Sequence, residues 1–262
     1  MTEFNVNGIQ VYDYEGKGFP LIFIHAFPLS SKMWQPQIDF FNEKYRVITY
    51  DVRGLGKSKS LNNQFTMECF SDDLLMIIEH LKLEKVFACG LSMGGYILLR
   101  SYMKNPGKFK GLVLADTRAE KDDDTGLINR SNNIEYIKKG KRDEFFSSFY
   151  PKLVGKNNLN NEVIKSLFNN IIKDNSDEGI CGALLALATR INAIDYLKSF
   201  NIPTLILVGE DDELTPYSVS EKMKNLIPDS VLRLIQGAGH LSNIENSKAF
   251  NSYIIRFLQD NT

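Results

Sequence analysis

Residues 86–100 read VFACGLSMGGYILLR. The apolar run at 86–89 is typical of a buried strand, and the residues that follow Gly95 are typical of a helix. Between them, the pattern G-x-S-x-G at 90–94 predicts a sharp strand-to-helix turn that carries Ser92 at its tip. Glycines are needed in such a turn because neighbouring segments come too close for side chains. We therefore predict that Ser92 is a catalytic nucleophile.

The residue after this serine opens the predicted helix. The amide of Met93 therefore has no partner inside the helix and lies near the positive end of the helix dipole. Such an amide can stabilise the oxyanion that forms when a nucleophile attacks a carbonyl group. The turn thus combines a nucleophile with one oxyanion donor.

Composition and charge restrict the class of protein. The 262 residues are 43% hydrophobic and 24% charged, which is typical of a folded globular chain. Lysine and arginine number 31 against 32 for aspartate and glutamate, so the formal net charge is -1. This balance argues against a nucleic-acid or membrane partner and favours a small-molecule substrate.

Targeting and redox signals are also informative. The first five residues lack the basic start of a signal peptide, and no apolar run approaches the roughly 18 residues of a spanning helix. A cytoplasmic location is the resulting expectation. The three cysteines have no metal-type spacing, so we expect neither a disulfide framework nor a bound metal or other cofactor.

Strand-like and helix-like segments alternate along most of the chain. The predicted strands are a hairpin at 6 and 9–12, then 21–24, 45–50, 86–89, 110–115, 203–209 and 231–235. Helical periodicity occurs at 33–42, 66–81, 95–104, 132–139, 142–149, 161–172, 178–196, 218–226 and 247–258. Alternation of this kind predicts an α/β fold with a mainly parallel sheet, whose ligand sites lie at the carboxyl ends of the strands.

The alternation is interrupted in the middle of the chain. Residues 118–200 carry helical patterns only, so we predict a helical cap inserted into a core made of residues 1–117 and 201–262. The insertion begins just after a predicted strand end, which favours a lid over the edge that carries Ser92. A helical domain unrelated to the site is the alternative.

A serine nucleophile needs a base, and the chain has three histidines. His240 follows Gly237 and Gly239 just past the strand at 231–235, where a glycine-containing loop can place an imidazole over the strand ends. His80 falls near a helix end, where a surface histidine is unremarkable. His25 ends the strand at 21–24, and we interpret it as a hydrogen-bonded structural residue. The predicted base is therefore His240.

The base in turn needs an acid to orient it. Asp212 follows the strand at 203–209 and precedes His240, so the order serine, aspartate, histidine fits this topology. Asp116 also ends a strand after the nucleophile and remains the alternative. The neighbouring carboxylates Glu210, Asp211 and Glu213 are interpreted as a solvated acidic turn.

A second oxyanion donor is expected from the loop after the strand at 21–24. The sequence His25-Ala26-Phe27-Pro28 fills that position, and we predict that the Phe27 amide points toward the same place as the Met93 amide. An ordinary turn before proline is the alternative interpretation.

Together these segments resemble the α/β-hydrolase superfamily. The resemblance rests on HAFP at 25–28, DVRGLGKS at 51–58, GLSMGG at 90–95, GEDDELTP at 209–216 and GAGHLSNIE at 237–245. It implies an α/β-hydrolase fold with a mostly parallel eight-stranded sheet and a helical lid after the sixth strand. It also implies a serine hydrolase with the triad Ser92, Asp212 and His240 and an oxyanion hole at Phe27 and Met93. One departure is Ala26, where many members carry glycine.

HAFPLSSKMW at 25–34, ADTRAE at 115–120 and GHLSNIE at 239–245 resemble more narrowly the carboxylesterase and 3-oxoadipate enol-lactonase branch. That resemblance implies cleavage of small esters or lactones through an acyl-enzyme. The substrate pocket is predicted at Phe27, Leu29, Trp34 and Met93. Arg118 is a candidate partner for a substrate carboxylate.

Three other functions remain open from the sequence. The same triad also fits a carbon-carbon bond hydrolase and a perhydrolase. A regulator that keeps the site only to bind a ligand is a further alternative, by analogy of fold.

Overall fold

The carboxyl ends of six parallel strands meet at one edge of the sheet. The computed structural model describes residues 1–60 and 63–262. Its strands are β1 (Thr2–Val6), β2 (Ile9–Asp13), β3 (Pro20–Ile24), β4 (Arg46–Tyr50), β5 (Val86–Leu91), β6 (Phe109–Ala115), β7 (Thr204–Gly209) and β8 (Ser230–Ile235). They form one eight-stranded sheet in the order β1-β2-β4-β3-β5-β6-β7-β8. This is the α/β-hydrolase fold, and the predicted fold class is confirmed.

Only β2, in the hairpin at the amino end, runs against the other strands. β1 pairs antiparallel with β2, and β2 pairs antiparallel with β4. From β4 through β3 and β5 to β8, every pair is parallel. The register sets Ile24 beside Gly90, and Leu91 beside Ala115. Residues that leave β3, β5 and β6 therefore start from the same level of the sheet.

Helices cover both faces of the sheet. They are α1 (Gln35–Phe41), α2 (Met67–His80), α3 (Met93–Lys104), α4 (Asp124–Lys138), α5 (Arg142–Phe149), α6 (Glu162–Lys173), α7 (Asp177–Ala188), α8 (Tyr217–Leu226), α9 (Ser242–Glu245) and α10 (Ser247–Asn261). Every residue of β5 is buried. Because both faces of the sheet are covered there, the sequence of this strand is a continuous apolar run. Among the described residues, no helix is both long and apolar enough to span a membrane.

Helix α4 begins earlier than predicted. The pattern indicated a helix from residue 132, whereas α4 begins at Asp124. The side chain of Asp123 accepts a hydrogen bond from the Gly126 amide and caps the helix. Most of the first half of α4 is exposed, so its residues carry no apolar period that sequence reasoning could detect.

The predicted helix at 178–196 is divided in the structure. α7 ends at Ala188, and a separate 3-10 helix spans Ile194–Ser199. Between them, the Ala193 amide donates to the carbonyl of Ala119, at 2.8 Å. This bond ties the chain back to the segment that leaves β6, and one continuous helix is incompatible with it.

Candidate active site

Ser92 lies on the sharp turn between β5 and α3. Its backbone has φ 53° and ψ -112°, an unfavourable conformation for a residue with a side chain. The flanking glycines explain how the turn fits. A Cβ on Gly90 would lie 2.3 Å from the Gly94 carbonyl oxygen, and one on Gly94 would lie 2.1 Å from the carbonyl oxygen of Ile24. The turn is therefore wedged against the end of β3.

A continuous chain of hydrogen bonds links three side chains from three strand ends. His240 Nε2 lies 2.8 Å from Ser92 Oγ. His240 Nδ1 lies 2.9 Å from Asp212 Oδ2 and 3.0 Å from Oδ1. With Nδ1 protonated, the ring donates to the carboxylate and presents a free lone pair to the serine hydroxyl. This arrangement can accept a proton from Ser92, and the structure brings together the three predicted residues.

Asp212 is surrounded by hydrogen-bond donors. Its Oδ1 accepts from the amides of Leu214 and Thr215, at 2.9 Å each, and its Oδ2 accepts from the Thr215 hydroxyl. Burial raises the pKa of Asp212, but the charge of His240 and these hydrogen bonds outweigh it, so the pKa is lowered from its ordinary value. The carboxylate therefore remains ionised beside the imidazole.

Asp116, the alternative acid, has other partners. Its Oδ1 accepts from the Gly209 amide at 2.8 Å, and its Oδ2 accepts from the Ser242 hydroxyl. Burial, and then the nearby negative charge of Asp212, raise the pKa of Asp116 well above its ordinary value. This carboxyl group thus connects β6 to β7 and α9, and the residue in contact with His240 is Asp212.

The other two histidines lie outside this chain of hydrogen bonds. His25 is fully buried, and its Nδ1 donates to the Ala26 carbonyl at 2.9 Å while its Nε2 accepts from the Val52 amide at 2.8 Å. Burial lowers the pKa of His25, so the neutral ring is favoured. His80, in the last turn of α2, stacks on Phe4. Both placements agree with structural roles.

The loop after β3 contains the predicted second oxyanion donor. The Leu29 amide donates to the Ala26 carbonyl at 2.8 Å across a turn that contains a cis peptide bond between Phe27 and Pro28. Within the part of the chain that the structure describes, the amides of Phe27 and Met93 have no hydrogen-bond acceptor. Met93 precedes Gly94, which packs against the Ile24 carbonyl at the end of β3, and Phe27 follows that strand end by three residues.

A cavity of about 330 Å³ opens above Ser92 and His240. Its walls come from the core and from residues between β6 and β7, and they are Phe27, Ser92, Tyr96, Arg118, Asp122, Gly126, Asn129, Arg130, Phe149, Leu187, Arg190, Leu214, Thr215 and His240. This volume is within the range of small-molecule sites. Of the predicted pocket residues, Phe27 and Arg118 line it.

Leu29, Trp34 and Met93 are not part of this wall. Trp34 is fully buried and its ring packs against Phe23 and Phe250 in the core. Leu29 is also buried, at 1% exposure, as is the Met93 side chain. All three belong to the hydrophobic core, and their contact with substrate stays a prediction.

Sequence reasoning found Arg118 but missed the other charged residues of the cavity. Arg130 Nε donates to Asp122 at 3.0 Å, and Arg190 donates to the same carboxylate at 2.7 Å. The Arg190 guanidinium also lies 4.4 Å from the centre of the Tyr96 ring. Because these contacts join α4, the start of the insertion and the residues after α7, no local pattern could have indicated them.

The cavity wall contains three guanidinium groups, those of Arg118, Arg130 and Arg190, but one carboxylate, that of Asp122. Arg118 donates to the Leu214 carbonyl, and Arg130 uses Nε on Asp122, so the other guanidinium nitrogens of these two residues have no partner within residues 1–60 and 63–262. The electrostatic surroundings of Ser92 therefore favour a negatively charged ligand group. No group of three or more metal-ligating side chains occurs among those residues.

Comparison with known proteins places this geometry in a family. A family model described as alpha/beta hydrolase fold matches residues 20–247. The chain is 33% identical over 235 residues to 3-oxoadipate enol-lactonase 1 of Acinetobacter baylyi. The aligned region covers 88% of this chain and 85% of that protein. It is 28% identical to the non-heme chloroperoxidase of Burkholderia pyrrocinia, with 92% of this chain covered and 91% of that one.

A solved structure agrees with these relatives. The thermophilic esterase of Thermogutta terrifontis, solved with malate bound, superposes with a TM-score of 0.93 at 31% identity over 100% of both chains. The chain belongs to the α/β-hydrolase fold family, in its esterase and lactonase branch. It is a carboxylic ester hydrolase.

Proposed function

We propose that the protein cleaves esters or lactones of small substrates through the triad Ser92, His240 and Asp212 and a covalent acyl-enzyme. The observation that carries this proposal is the 2.8 Å contact between Ser92 Oγ and His240 Nε2, extended to Asp212 by a second contact of 2.9 Å. An ordinary serine hydroxyl is a weak nucleophile at neutral pH, and this arrangement gives it a base.

The first half of the reaction forms the acyl-enzyme. Ser92 Oγ attacks the carbonyl carbon while its proton moves to His240 Nε2, and the amides of Phe27 and Met93 bind the oxyanion. As the tetrahedral intermediate collapses, the bond to the leaving oxygen breaks and His240 returns the proton to that oxygen. When the substrate is a lactone, the ring opens and the leaving hydroxyl group remains part of the acyl chain that is bound to Ser92, because the acyl and alcohol parts belong to one molecule.

The second half repeats these steps with water. His240 removes a proton from water, whose oxygen attacks the acyl carbon and forms a second oxyanion at the same donors. Collapse then breaks the bond to Ser92 Oγ, which recovers its proton from His240. Each oxyanion donor is expected to contribute about 3 kcal/mol to the barrier reduction.

Hydrolysis of a panel of nitrophenyl esters and lactones tests this proposal. We expect turnover by the wild type and a loss of at least about a thousandfold in kcat for Ser92→Ala. Ser101→Ala is a matched control, since Ser101 is a buried serine bonded to Ser71 and to the Ile97 carbonyl away from the cavity. Equal activity of Ser92→Ala and the wild type would contradict the proposal.

We further propose that the preferred substrate carries a carboxylate. Arg118 and Arg130 both line the cavity of Ser92, and both have guanidinium N–H groups that no described residue accepts. Guanidinium groups bind carboxylates strongly in partly enclosed sites. The dicarboxylate malate bound by the esterase of Thermogutta terrifontis supports the same preference.

Paired substrates test the charge preference. Mono-4-nitrophenyl succinate and 4-nitrophenyl butyrate have acyl chains of similar length but differ in the terminal carboxylate. We expect Arg130→Met and Arg118→Met each to lower the ratio of kcat/KM for the acidic over the neutral ester about tenfold. Arg233→Met on the exposed face of β8 is the control. An unchanged ratio in both site variants would refute the charge preference and leave ester hydrolysis intact.

Residues 118–200 are proposed to act as a cap over the cavity. Arg130, Phe149 and Arg190 of this segment supply one side of the cavity, and the core supplies the other. The Phe149 ring packs edge-on against Phe27, with ring centroids 6.0 Å apart. Cap residues therefore meet the predicted oxyanion loop directly. The core would then comprise residues 1–117 and 201–262, as the sequence predicts.

Perhydrolysis is a second candidate for the same acyl-enzyme. Hydrogen peroxide in place of water would release a peracid, and the similarity to the non-heme chloroperoxidase of Burkholderia pyrrocinia favours this possibility. Peracid formation from acetate and hydrogen peroxide measures it. The similarity to an enol-lactonase and an esterase supports an enzyme rather than a ligand-binding regulator.

A further inference from the structure

Glu245 joins the loop of His240 to the cap segment at 153–158. It is the last residue of α9, which begins two residues after His240. Its Oε1 accepts hydrogen bonds from the amides of Gly239 at 2.9 Å and Leu241 at 3.2 Å, on either side of the histidine. One carboxylate oxygen thus fixes the backbone that carries the base.

The other oxygen of the same carboxylate binds the cap. Glu245 Oε2 accepts from the Gly155 amide at 2.7 Å and from Asn158 Nδ2 at 2.9 Å. Both donors belong to the segment between the 3-10 helix at Tyr150–Lys152 and α6. Oε1 of Glu245 therefore binds the histidine loop, and Oε2 binds the cap.

The two segments also contact each other directly. The Leu241 amide donates to the Leu153 carbonyl at 3.0 Å, and Asn158 Nδ2 lies 3.2 Å from the Gly237 carbonyl oxygen. A Cβ on Gly239 would lie 2.4 Å from the Gly155 amide nitrogen. The cap segment and the histidine loop therefore pack as one unit around the carboxylate.

Only a carboxylate satisfies this set of donors. Each oxygen of an ionised carboxylate accepts two hydrogen bonds here, whereas a carboxamide has a single oxygen and an NH₂ group that can only donate. The donors to Glu245 are all uncharged N–H groups, so charge pairing does not explain its position. Its role is geometric, and it fixes two pieces of backbone relative to each other.

We propose that Glu245 is a positioning residue that holds His240 in register with Ser92 only while cap segment 153–158 is docked. This inference rests on the proposed function, because it takes His240 to be the base. A docked cap then completes the catalytic site as well as covering it. Movement of the cap segment away from the core would pull the histidine loop with it.

Glu245→Gln is the direct test, since the remaining oxygen can hold only one of the two segments. The rate at which a fluorophosphonate labels Ser92 reports how well His240 activates the serine, independently of any substrate pocket. We expect the second-order labelling rate to fall about tenfold or more, as for other small misplacements of catalytic groups. Amide hydrogen exchange should rise together in peptides covering residues 153–159 and 237–245.

Glu210→Gln is the matched control. Glu210 accepts a hydrogen bond from the Gly237 amide at 2.9 Å, so it also touches the histidine loop. Among the described residues, its side chain has no hydrogen bond to the cap segment. We expect its labelling rate to stay within about twofold of the wild type. A control variant as slow as Glu245→Gln would contradict a specific role for the junction.

Asn158→Asp provides a second variant if Glu245→Gln does not fold. It keeps the size of the side chain and replaces the cap-side donor with a carboxylate that repels Glu245 Oε2. We expect slower labelling of Ser92 and raised exchange in both segments, although residue 158 contacts neither Ser92 nor His240. Labelling at the wild-type rate in every junction variant that folds would overturn the inference.

Failure of the proposed function has a different signature. If the wild type itself is not labelled at Ser92, the catalytic proposal fails. If the wild type is labelled and the junction variants are labelled equally fast, only the role of Glu245 fails.

Discussion

Two buried aspartates near the active site have opposite surroundings. Asp212 faces a histidine ring and three N–H or O–H donors, and its pKa is lowered. Asp116 has two donors, and burial together with the charge of Asp212 raises its pKa well above the ordinary value. The first is suited to remain charged beside His240, and the second is suited to be neutral.

The roles of the two aspartates predict different kinetic effects. Asp212→Asn should lower kcat by about four orders of magnitude, because an amide cannot hold the imidazole in the required tautomer. Asp116→Asn should keep kcat within about threefold, since an amide oxygen can accept from Gly209 and its NH₂ can donate to Ser242. Steady-state hydrolysis of a nitrophenyl ester measures both. A large loss in Asp116→Asn with little loss in Asp212→Asn would reverse the assignment of the acid.

The raised pKa of Asp116 also predicts a pH dependence of stability. A carboxyl group whose pKa is higher in the folded than in the unfolded protein favours folding below its unfolded value, and this contribution is lost as the pH rises through the folded value. The Tm of Asp116→Asn minus that of the wild type should therefore increase as the pH rises above about 4. Thermal unfolding of both proteins at several pH values measures the difference. A constant or decreasing difference would contradict the raised pKa.

The turn between β5 and α3 depends on glycine at several positions. Gly94→Ala would place a Cβ 2.1 Å from the backbone oxygen of Ile24, which cannot move without shifting β3. We expect a loss of about 1–3 kcal/mol in the free energy of unfolding, measured with urea. Gly107→Ala is the control, because the nearest atom to its added Cβ lies 3.7 Å away. Equal stability of the two variants would show that the turn tolerates a side chain.

Elements with a clear apolar pattern could be predicted from the sequence, and elements stabilised by distant contacts could not. β5 is apolar throughout because helices cover both its faces, so its run identified the strand. By contrast, α4 is mostly exposed and depends on the Asp123 cap, so its first half was missed. The break after α7 depends on the bond from Ala193 to Ala119, which local sequence does not encode.

The same distinction applies to the candidate site. Ser92, Asp212 and His240 each follow a strand at one edge of the sheet, so chain order and turn chemistry sufficed to choose them. Arg130 and Arg190 converge on Asp122 only when the helices of the insertion pack together. Trp34 was assigned to the pocket because an aromatic side chain fits a pocket wall as well as a core. Its ring packs against Phe23, and its contact with substrate stays a prediction.

At the scale of the whole molecule, the charge of the cavity differs from that of the chain. The formal net charge is -1, whereas the cavity wall has three arginines and one aspartate. Attraction of an acidic substrate must therefore be local, and local fields are screened by salt. We expect kcat/KM for mono-4-nitrophenyl succinate to fall about two- to tenfold between low and high ionic strength. The neutral butyrate ester is the control, and parallel behaviour of the two esters would contradict local attraction.

Covalent trapping during turnover is the direct test of an acyl-enzyme on Ser92. A slowly deacylated ester such as 4-nitrophenyl trimethylacetate is mixed with the enzyme, quenched in acid and analysed by peptide mass spectrometry. We predict one acyl group on Ser92, together with a burst of one nitrophenol released per active site. Both should be absent in Ser92→Ala. Turnover of the wild type with no adduct, or with the acyl group on another residue, would contradict it.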